Sequence, residues 1–478
     1  MKWDRMCRRT GWVFTSFIIL TAVHPGANAQ SLFESSQSGN HENIVSTSLN
    51  LGGFIRSVSY VSQSPDDQNY YLQSLYAQAG IMMDVSAGSA ASGFAELRFR
   101  YGSEFRKEVA ALELREAYIS LTAGPASFRL GKMIHRWGKG SVFNPGHSLS
   151  PLDPTTRSPE ENDMYLGVWG LEAALSLGSF SRMTVHWNPL YEASILLIEP
   201  IPLPSYLDFT EPEFPGVDLK NGSYALKYDL FTRFSDLSLS WFDGYNHWPG
   251  LVYQSMQVNY STLEPESLIL YQKAYRIRKA ALDFSVPAGT FILRAEGAWQ
   301  QSRLDRENRE YIPFPELAYT AELEWSGSHL NLIAGYYGKH ILDHYPASAE
   351  ASLSADPEQF LDLLEQGSIP TAEEVDQMIR DRIAAFNRLY NYQIKENYHS
   401  VFLAGRLSVF HEQVEIDFPL IWNGSTKEWM FRPGINYRPA DGIRIMAGYE
   451  GFFGPEDSLY DLVGPTLNSV FLSCKITF

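Results

Sequence analysis

Charged side chains recur at every second position along this chain, between apolar neighbours. Glu96, Arg98 and Arg100 alternate with Ala95, Leu97, Phe99 and Tyr101. Arg294 and Glu296 alternate with Leu293, Ala295 and Gly297, and Glu322 and Glu324 with Ala321, Leu323 and Trp325. Charges on the polar faces of other segments are Glu113, Arg115, Glu172, Arg182, Arg276 and Arg278, then Arg406, Glu415, Asp417, Glu428, Arg432, Arg444 and Glu450. Two kinds of chemistry follow. A guanidinium fork pairs with a carboxylate and stiffens a wall. Rings of charged side chains around water sort solutes by sign. The mixture favours neither anions nor cations, so these residues are candidates for a pore lining without a stated charge preference.

Other chemistry is poorly represented. Gly146-His147-Ser148-Leu149-Ser150 approaches a G-x-S-x-G nucleophile turn, but its last position is Ser and it sits in a Pro-rich stretch. His147 and Ser148 are the pair a hydrolase would use. His135, His147 and His186 lack metal-ligand spacing. No Gly-rich phosphate loop stands between a strand and a helix. The expectation is a protein that is not an enzyme and has no cofactor or metal.

The elements that must position the charges have period two. Phe291 to Trp299 is the clearest example: Phe291, Leu293, Ala295, Gly297 and Trp299 share one face. Such a segment is a strand with one apolar and one polar side. Eighteen segments are expected, near 46–60, 70–86, 91–101, 110–122, 127–136 and 164–177. They continue near 180–188, 222–233, 236–243, 274–286, 289–300 and 316–325. The last six lie near 328–338, 395–409, 412–422, 427–438, 442–452 and 466–478. Sixteen is the alternative count. In 274–286 the phase of Arg276 and Arg278 conflicts with that of Leu282, Phe284 and Val286, which predicts a bulge near Lys279.

A soluble sandwich would turn the apolar faces inward, and a transmembrane barrel would turn them outward. The connections decide between them, because short and long ones alternate, with Asn423–Thr426 the one short member of the long set. Short turns include Ala123–Ala126, Gly178-Ser179, Pro287–Gly289 and Pro439–Gly442. Long ones lie at 62–69, 102–109, 137–163, 189–221, 244–273, 301–315, 339–394 and 453–465. Barrels of the outer membrane have short periplasmic turns and long outer loops. Trp187, Trp241, Trp299 and Trp325 close strands, as interfacial girdles require. The expected fold is therefore all-β, a transmembrane antiparallel barrel of about eighteen strands over residues 30–478.

Composition agrees. Of 478 residues, 38 are Lys or Arg against 55 Asp or Glu, a net charge of −17 that argues against nucleic-acid binding. Lys2, Arg5, Arg8 and Arg9 precede the apolar run Trp12–Val23 and the small-x-small site Ala27-Asn28-Ala29. That is a secretory leader over 1–29, with Gln30 as the mature start. Cys7 leaves with the leader, so Cys474 has no partner for a disulfide.

The last strand carries a family mark. Val470, Leu472, Cys474, Ile476 and terminal Phe478 share one face. It resembles the assembly signal of Gram-negative outer-membrane barrels. The segment RLGKMIHRWGKGSVFNP (129–145) resembles a stretch of porin-like outer-membrane barrels, in which an LGK/R…WG strand runs into an NP-containing loop. The resemblance implies insertion by the outer-membrane assembly machinery, contact with outer-membrane lipid and lipopolysaccharide, and passage of a small solute. It leaves the oligomeric state open.

Loop 339–394 is expected to hold two short helices. Asp356, Pro357 and Gly367 frame the first, and Thr371 with Glu374 caps a second running to about Leu389. Its stripe Ile379, Ile383 and Phe386 would either narrow the bore or cap its mouth. Loop 189–221 is another lid candidate. The functional expectation is a channel for passive or weakly selective passage of small solutes. A structural sleeve or export port for a partner molecule, and a hydrolase, are the alternatives.

Overall fold

Alternation becomes sheet wherever consecutive segments can hydrogen-bond edge to edge. In the computed structural model they do so until the last meets the first. Residues 47–64, 69–198, 204–259, 264–303, 310–347 and 372–478 are described here; the expected leader and first loop helix lie outside them. The first strands are β1 (Thr47–Gln63), β2 (Tyr70–Ala87), β3 (Ala91–Glu104), β4 (Lys107–Ala123), β5 (Ala126–Met133) and β6 (Val168–Ser176). Next come β7 (Ser181–Asn188), β8 (Ser223–Phe231), β9 (Asp236–Tyr245), β10 (Arg276–Ala288), β11 (Phe291–Ser302) and β12 (Glu316–Ser326). The wall is completed by β13 (Leu330–Ile341), β14 (Asn397–Val409), β15 (Val414–Asp417 and Leu420–Asn423), β16 (Glu428–Phe431 and Gly434–Ala440), β17 (Ile443–Phe453) and β18 (Ser469–Thr477). Pro419 and Pro433 interrupt β15 and β16, because proline cannot donate to the ladder.

The result is a closed antiparallel barrel of eighteen strands. β1 pairs with β18 from Phe54↔Thr477 to Ser62↔Ser469, so no edge is left open. Phe478 completes the seam, exchanging backbone hydrogen bonds of 2.9 Å with Gly53. A Cβ on Gly53 would lie 2.5 Å from the Gly80 carbonyl oxygen of β2 and 2.9 Å from the Phe478 ring, so the close approach of the strands at the seam requires glycine here.

The apolar faces point outward. Leu51, Ile55, Leu112, Leu130, Leu239, Leu282 and Leu472 are exposed large hydrophobics on the outer face. A soluble protein would not leave so continuous a surface wet, whereas a bilayer buries it. Trp241 and Trp299 stack at 6.5 Å. Both are paired in register with Ala280, whose small side chain lets the rings meet across it. Cys474 is exposed on the lipid-facing side of β18.

Three expectations need correction. Residues 102–109 do not form a long loop. Glu104 pairs with Lys107 across a two-residue turn in which Phe105 and Arg106 take positive φ, 46° and 64°. Residues at such angles are usually Asn or Gly, so the turn left no compositional sign. Tertiary contacts hold it: the Phe105 amide donates to Ser74 Oγ at 3.1 Å, and the Arg106 guanidinium lies over the Tyr71 ring. Second, no bulge occurs at Lys279, since β10 keeps its register with both neighbours. Arg276 and Arg278 sit on the outward face beyond the Trp241–Trp299 pair, where a strand longer than the hydrocarbon core tolerates charge. A bulge does fall at Arg115, between the pairs Glu96↔Glu116 and Leu97↔Leu114.

The third correction concerns the long loops. Leu207–Phe209, Gly250–Asn259 and Glu264–Lys273 form a separate three-stranded sheet. Against it packs α1 (Ala372–Tyr390), the helix expected from about Thr371 to Leu389. Ile379, Ile383 and Phe386 are buried among Leu251, Tyr253, Leu268 and Leu270. Asn387 fixes the contact, accepting from Leu251 N at 2.9 Å and donating to Leu251 O at 2.7 Å. The stripe is thus covered by other loops instead of facing the bore. A second helix, α2 (Leu459–Leu467), follows β17 in a stretch read as plain loop.

Candidate functional site: a loop pinned across the bore

The inner faces of the strands are charged, and much of that charge is directed at one segment, residues 134–167 between β5 and β6. Its first half is held by β10, β11 and β12. Glu296 accepts from the backbone amides of Lys139 (3.0 Å), Gly140 (3.3 Å) and Gly146. Glu322 accepts from Ser141 N at 3.0 Å and Ser141 Oγ at 2.6 Å. Lys279 Nζ donates to Pro145 O (2.9 Å) and His147 O (3.1 Å), and Lys139 Nζ stands 3.6 Å from Asp283.

The local sequence explains the fit. Gly138 has φ of +105°, and a Cβ there would meet Asn144 Oδ1 at 2.0 Å. A Cβ on Gly140 would strike Phe143 O at 1.9 Å. Asn144 closes the turn by donating to Trp137 O at 2.6 Å. The Trp-Gly-Lys-Gly…Asn-Pro spacing therefore makes a tight cup of backbone N–H groups, which a carboxylate fills well.

The second half is held by β1, β3, β4 and β16–β18. Asp163 receives Arg98 at 2.7 Å, Arg56 at 2.6 Å and Ser158 Oγ at 2.5 Å. Glu160 pairs with Lys475 at 2.9 Å and with Arg56 and Arg444 at 3.4 Å. Arg157 reaches back from the loop to Glu450 (3.0 Å) and Ser469 Oγ (2.6 Å), with its guanidinium over the Tyr60 ring. Arg115 donates to Asp163 O at 3.2 Å and to Asn162 O. Arg432 donates to Ser158 O at 3.0 Å and pairs with Glu450 at 2.8 Å. Burial opposes ionisation of Asp163, but the Arg56 and Arg98 charges outweigh it and hold the carboxyl well below the usual range.

The remaining candidates are placed as follows. Glu96 bonds Arg98 at 2.6 Å, and Arg100 bonds Glu104 at 2.9 Å. Glu113 faces inward opposite Arg98 in the β3–β4 ladder. Arg294 bridges Glu322 (3.3 Å) and Glu324 (2.5 Å). Arg406 pairs with Asp417 at 2.6 Å, and Glu415 with Arg438 at 3.0 Å. Glu428 accepts from Tyr460 N at 2.8 Å and so seats α2. Arg182 is exposed at the short-turn end and reaches Ser127 Oγ at 3.4 Å. Arg276 and Arg278 are not brought to this site; both pair with Asp243 on the outer face at 3.4 Å.

Sequence reasoning missed Arg56, Arg157, Glu160 and Asp163. Arg56 was legible in principle, since it shares an alternating face with Phe54, Val58 and Tyr60. The three loop residues follow no period, so nothing local marks them. The Ser148 hydroxyl donates to His147 O at 2.6 Å, and the His147 ring engages Ser150 O at 3.1 Å. Serine and imidazole therefore do not form a nucleophile–base pair.

Between the far half of the loop, β16, β17 and the two helices lies a cavity of about 590 Å³. Arg157, Glu161, Arg432 and Glu450 give it charge; Trp248, Tyr390, Tyr392 and Tyr460 give it aromatic surface.

The closed antiparallel barrel of eighteen strands matches the fold of solved Gram-negative outer-membrane channels. No family model and no curated protein matches the chain. Solved structures do. OccAB4 of Acinetobacter baumannii aligns over 90% of this chain and 98% of its own, at TM-score 0.52 and 9% identity. OpdK of Pseudomonas aeruginosa, solved with vanillate, aligns over 90% and 98% at TM-score 0.51 and 8% identity. OccK2 (OpdF) of the same species, in complex with glucuronate, aligns over 90% and 96% at TM-score 0.50 and 9% identity. At that identity the likeness is one of fold.

Proposed function

We propose that this chain is an outer-membrane channel for passive or weakly selective passage of small solutes, narrowed by the loop at 134–167. One observation carries the reading. The loop is tied to opposite parts of a closed wall by buried charge, and it leaves a charged, aromatic cavity beside it instead of a solid plug. Diffusion through such a bore needs no energy-coupling part. The cavity is the natural pause point for a solute, with Arg157 and Arg432, both paired with Glu450, in its charged wall and the tyrosines as a face for a ring. Vanillate and glucuronate, the ligands of two proteins of like fold, are both small carboxylates. A small carboxylate is therefore the first solute to try.

The experiment is reconstitution of the full chain in a planar bilayer. Discrete conductance steps, with current reduced by millimolar glucuronate or vanillate more than by a neutral sugar, support the proposal. A folded barrel with no conductance, before and after the loop anchors are removed by substitution, refutes it and leaves the sleeve reading in its place.

A further inference from the structure

Next to the root of the crossing loop, two imidazoles converge on a carboxylate that the wall already pairs with Arg129. His186 on β7 and Glu172 on β6 are directly opposed in the ladder. His135, two residues beyond the end of β5, folds over them. His135 and Glu172 are each 4% exposed, and His186 is fully buried. The rings meet edge to face at 4.2 Å, and His135 Nδ1 lies 3.4 Å from Glu172 Oε2.

Three ring nitrogens here have no hydrogen-bond partner: His135 Nε2, His186 Nδ1 and His186 Nε2. Buried polar atoms without partners are uncommon and costly. A ring with both nitrogens dry is harder still to account for by packing. Space has also been reserved for it. A Cβ on Gly170 would stand 2.7 Å from His186 Cε1, so any other residue there would push the imidazole away. Arg129 occupies Glu172 Oε1 with two hydrogen bonds, at 3.0 Å and 2.5 Å, which orients the carboxylate and turns Oε2 toward His135 Nδ1.

We propose that His135, His186 and Glu172 form a binding site for a divalent transition-metal ion of the Zn²⁺ type. One donor atom from each residue lies within 4.8 Å of the other two. Ligands on a tetrahedral ion with bonds of about 2.0–2.2 Å are separated by roughly 3.3 Å, so side-chain rotation brings the set together. Two imidazoles and one carboxylate suit Zn²⁺, Ni²⁺ or Cu²⁺ better than Ca²⁺ or Mg²⁺, which prefer oxygen. The Arg129 contact is the kind of outer support that fixes a ligating carboxylate. A bound ion would tie β6 and β7 to the root of the 134–167 loop.

The test measures metal directly and does not depend on conductance. The full-length barrel is stripped with chelator and refolded in detergent with equimolar Co²⁺ or Zn²⁺. It is then dialysed, and retained metal is counted per chain. The expected result is one ion per chain, with Co²⁺ giving a visible absorption band and Zn²⁺ raising the unfolding temperature. His186→Ala and His135→Ala lose the ion, the band and the temperature shift. His186→Gln and His135→Gln serve if the alanine variants do not give a folded, heat-modifiable barrel. No retained metal, or equal retention in the wild type and the folded histidine variants, overturns the site and leaves a packed imidazole pair.

Discussion

The Arg98 guanidinium donates to the Asp163 carboxylate at 2.7 Å, joining the third strand of the wall to the far half of the loop that crosses the bore. Arg56 reaches the same carboxylate from the first strand at 2.6 Å. One acidic side chain is therefore shared by two strands and fixes the loop where it turns back toward β6.

The near half has its own anchor. Glu296→Ala removes the acceptor for three loop amides. Each amide left without a partner costs about 1–3 kcal/mol, less where water replaces the carboxylate. The expected outcome is a lower midpoint of urea unfolding and noisier single-channel current, with the barrel still assembling. Unchanged current noise would show that the cup of amides is held by other contacts.

Acidification should weaken the fold in part through His147. Burial pushes this imidazole down from 6.5 to about 4. Between those values the unfolded chain binds the proton and the folded one does not, so stability falls as pH drops from 6.5 toward 4. Asp163 behaves differently. Its folded pKa is depressed below 3.8, so its contribution is intact above that value and is lost only as pH falls through the lower folded one. Thermal midpoints between pH 7 and 4 should decline in the wild type and decline less in His147→Gln.

The outward face is tested by charge. Leu239 is 56% exposed, mid-strand on the lipid side, opposite Leu282. Leu239→Arg should destabilise the barrel in phospholipid vesicles by about 2–4 kcal/mol, the usual cost of an arginine near the bilayer midplane. Arg278→Leu, beyond the tryptophan pair, should change stability little. Equal effects would place the membrane elsewhere on the barrel.

The strands were readable because lipid on one side and charge on the other impose a strict period of two. That is why Phe291–Trp299 and the closing strand to Phe478 stood out. The reading failed where geometry is set from a distance. Phe105-Arg106 makes a tight turn only because Ser74 and Tyr71 hold it. Arg276 and Arg278 share parity with the lipid-facing residues yet lie past the girdle, and parity alone cannot locate height. The partners of Glu296 and Asp163 lie 150 and 65 residues away in the chain, at Gly146 and Arg98. His135 and His186 met for the same reason: β5, β6 and β7 are neighbours in the wall, whatever their spacing in sequence.

The most direct test of the central claim is the single-channel conductance of Asp163→Ala beside the wild type, in the same bilayer and salt. Removing this acid takes the shared partner from Arg56 and Arg98, which keep Glu160 and Glu96, so the cost stays below the ~3–5 kcal/mol of a buried charge left wholly unpaired. The predicted result is a loosened loop, seen as a larger or fluctuating conductance in a barrel that still folds. A conductance identical to the wild type, in level and in noise, would contradict a loop held across the bore by this pair.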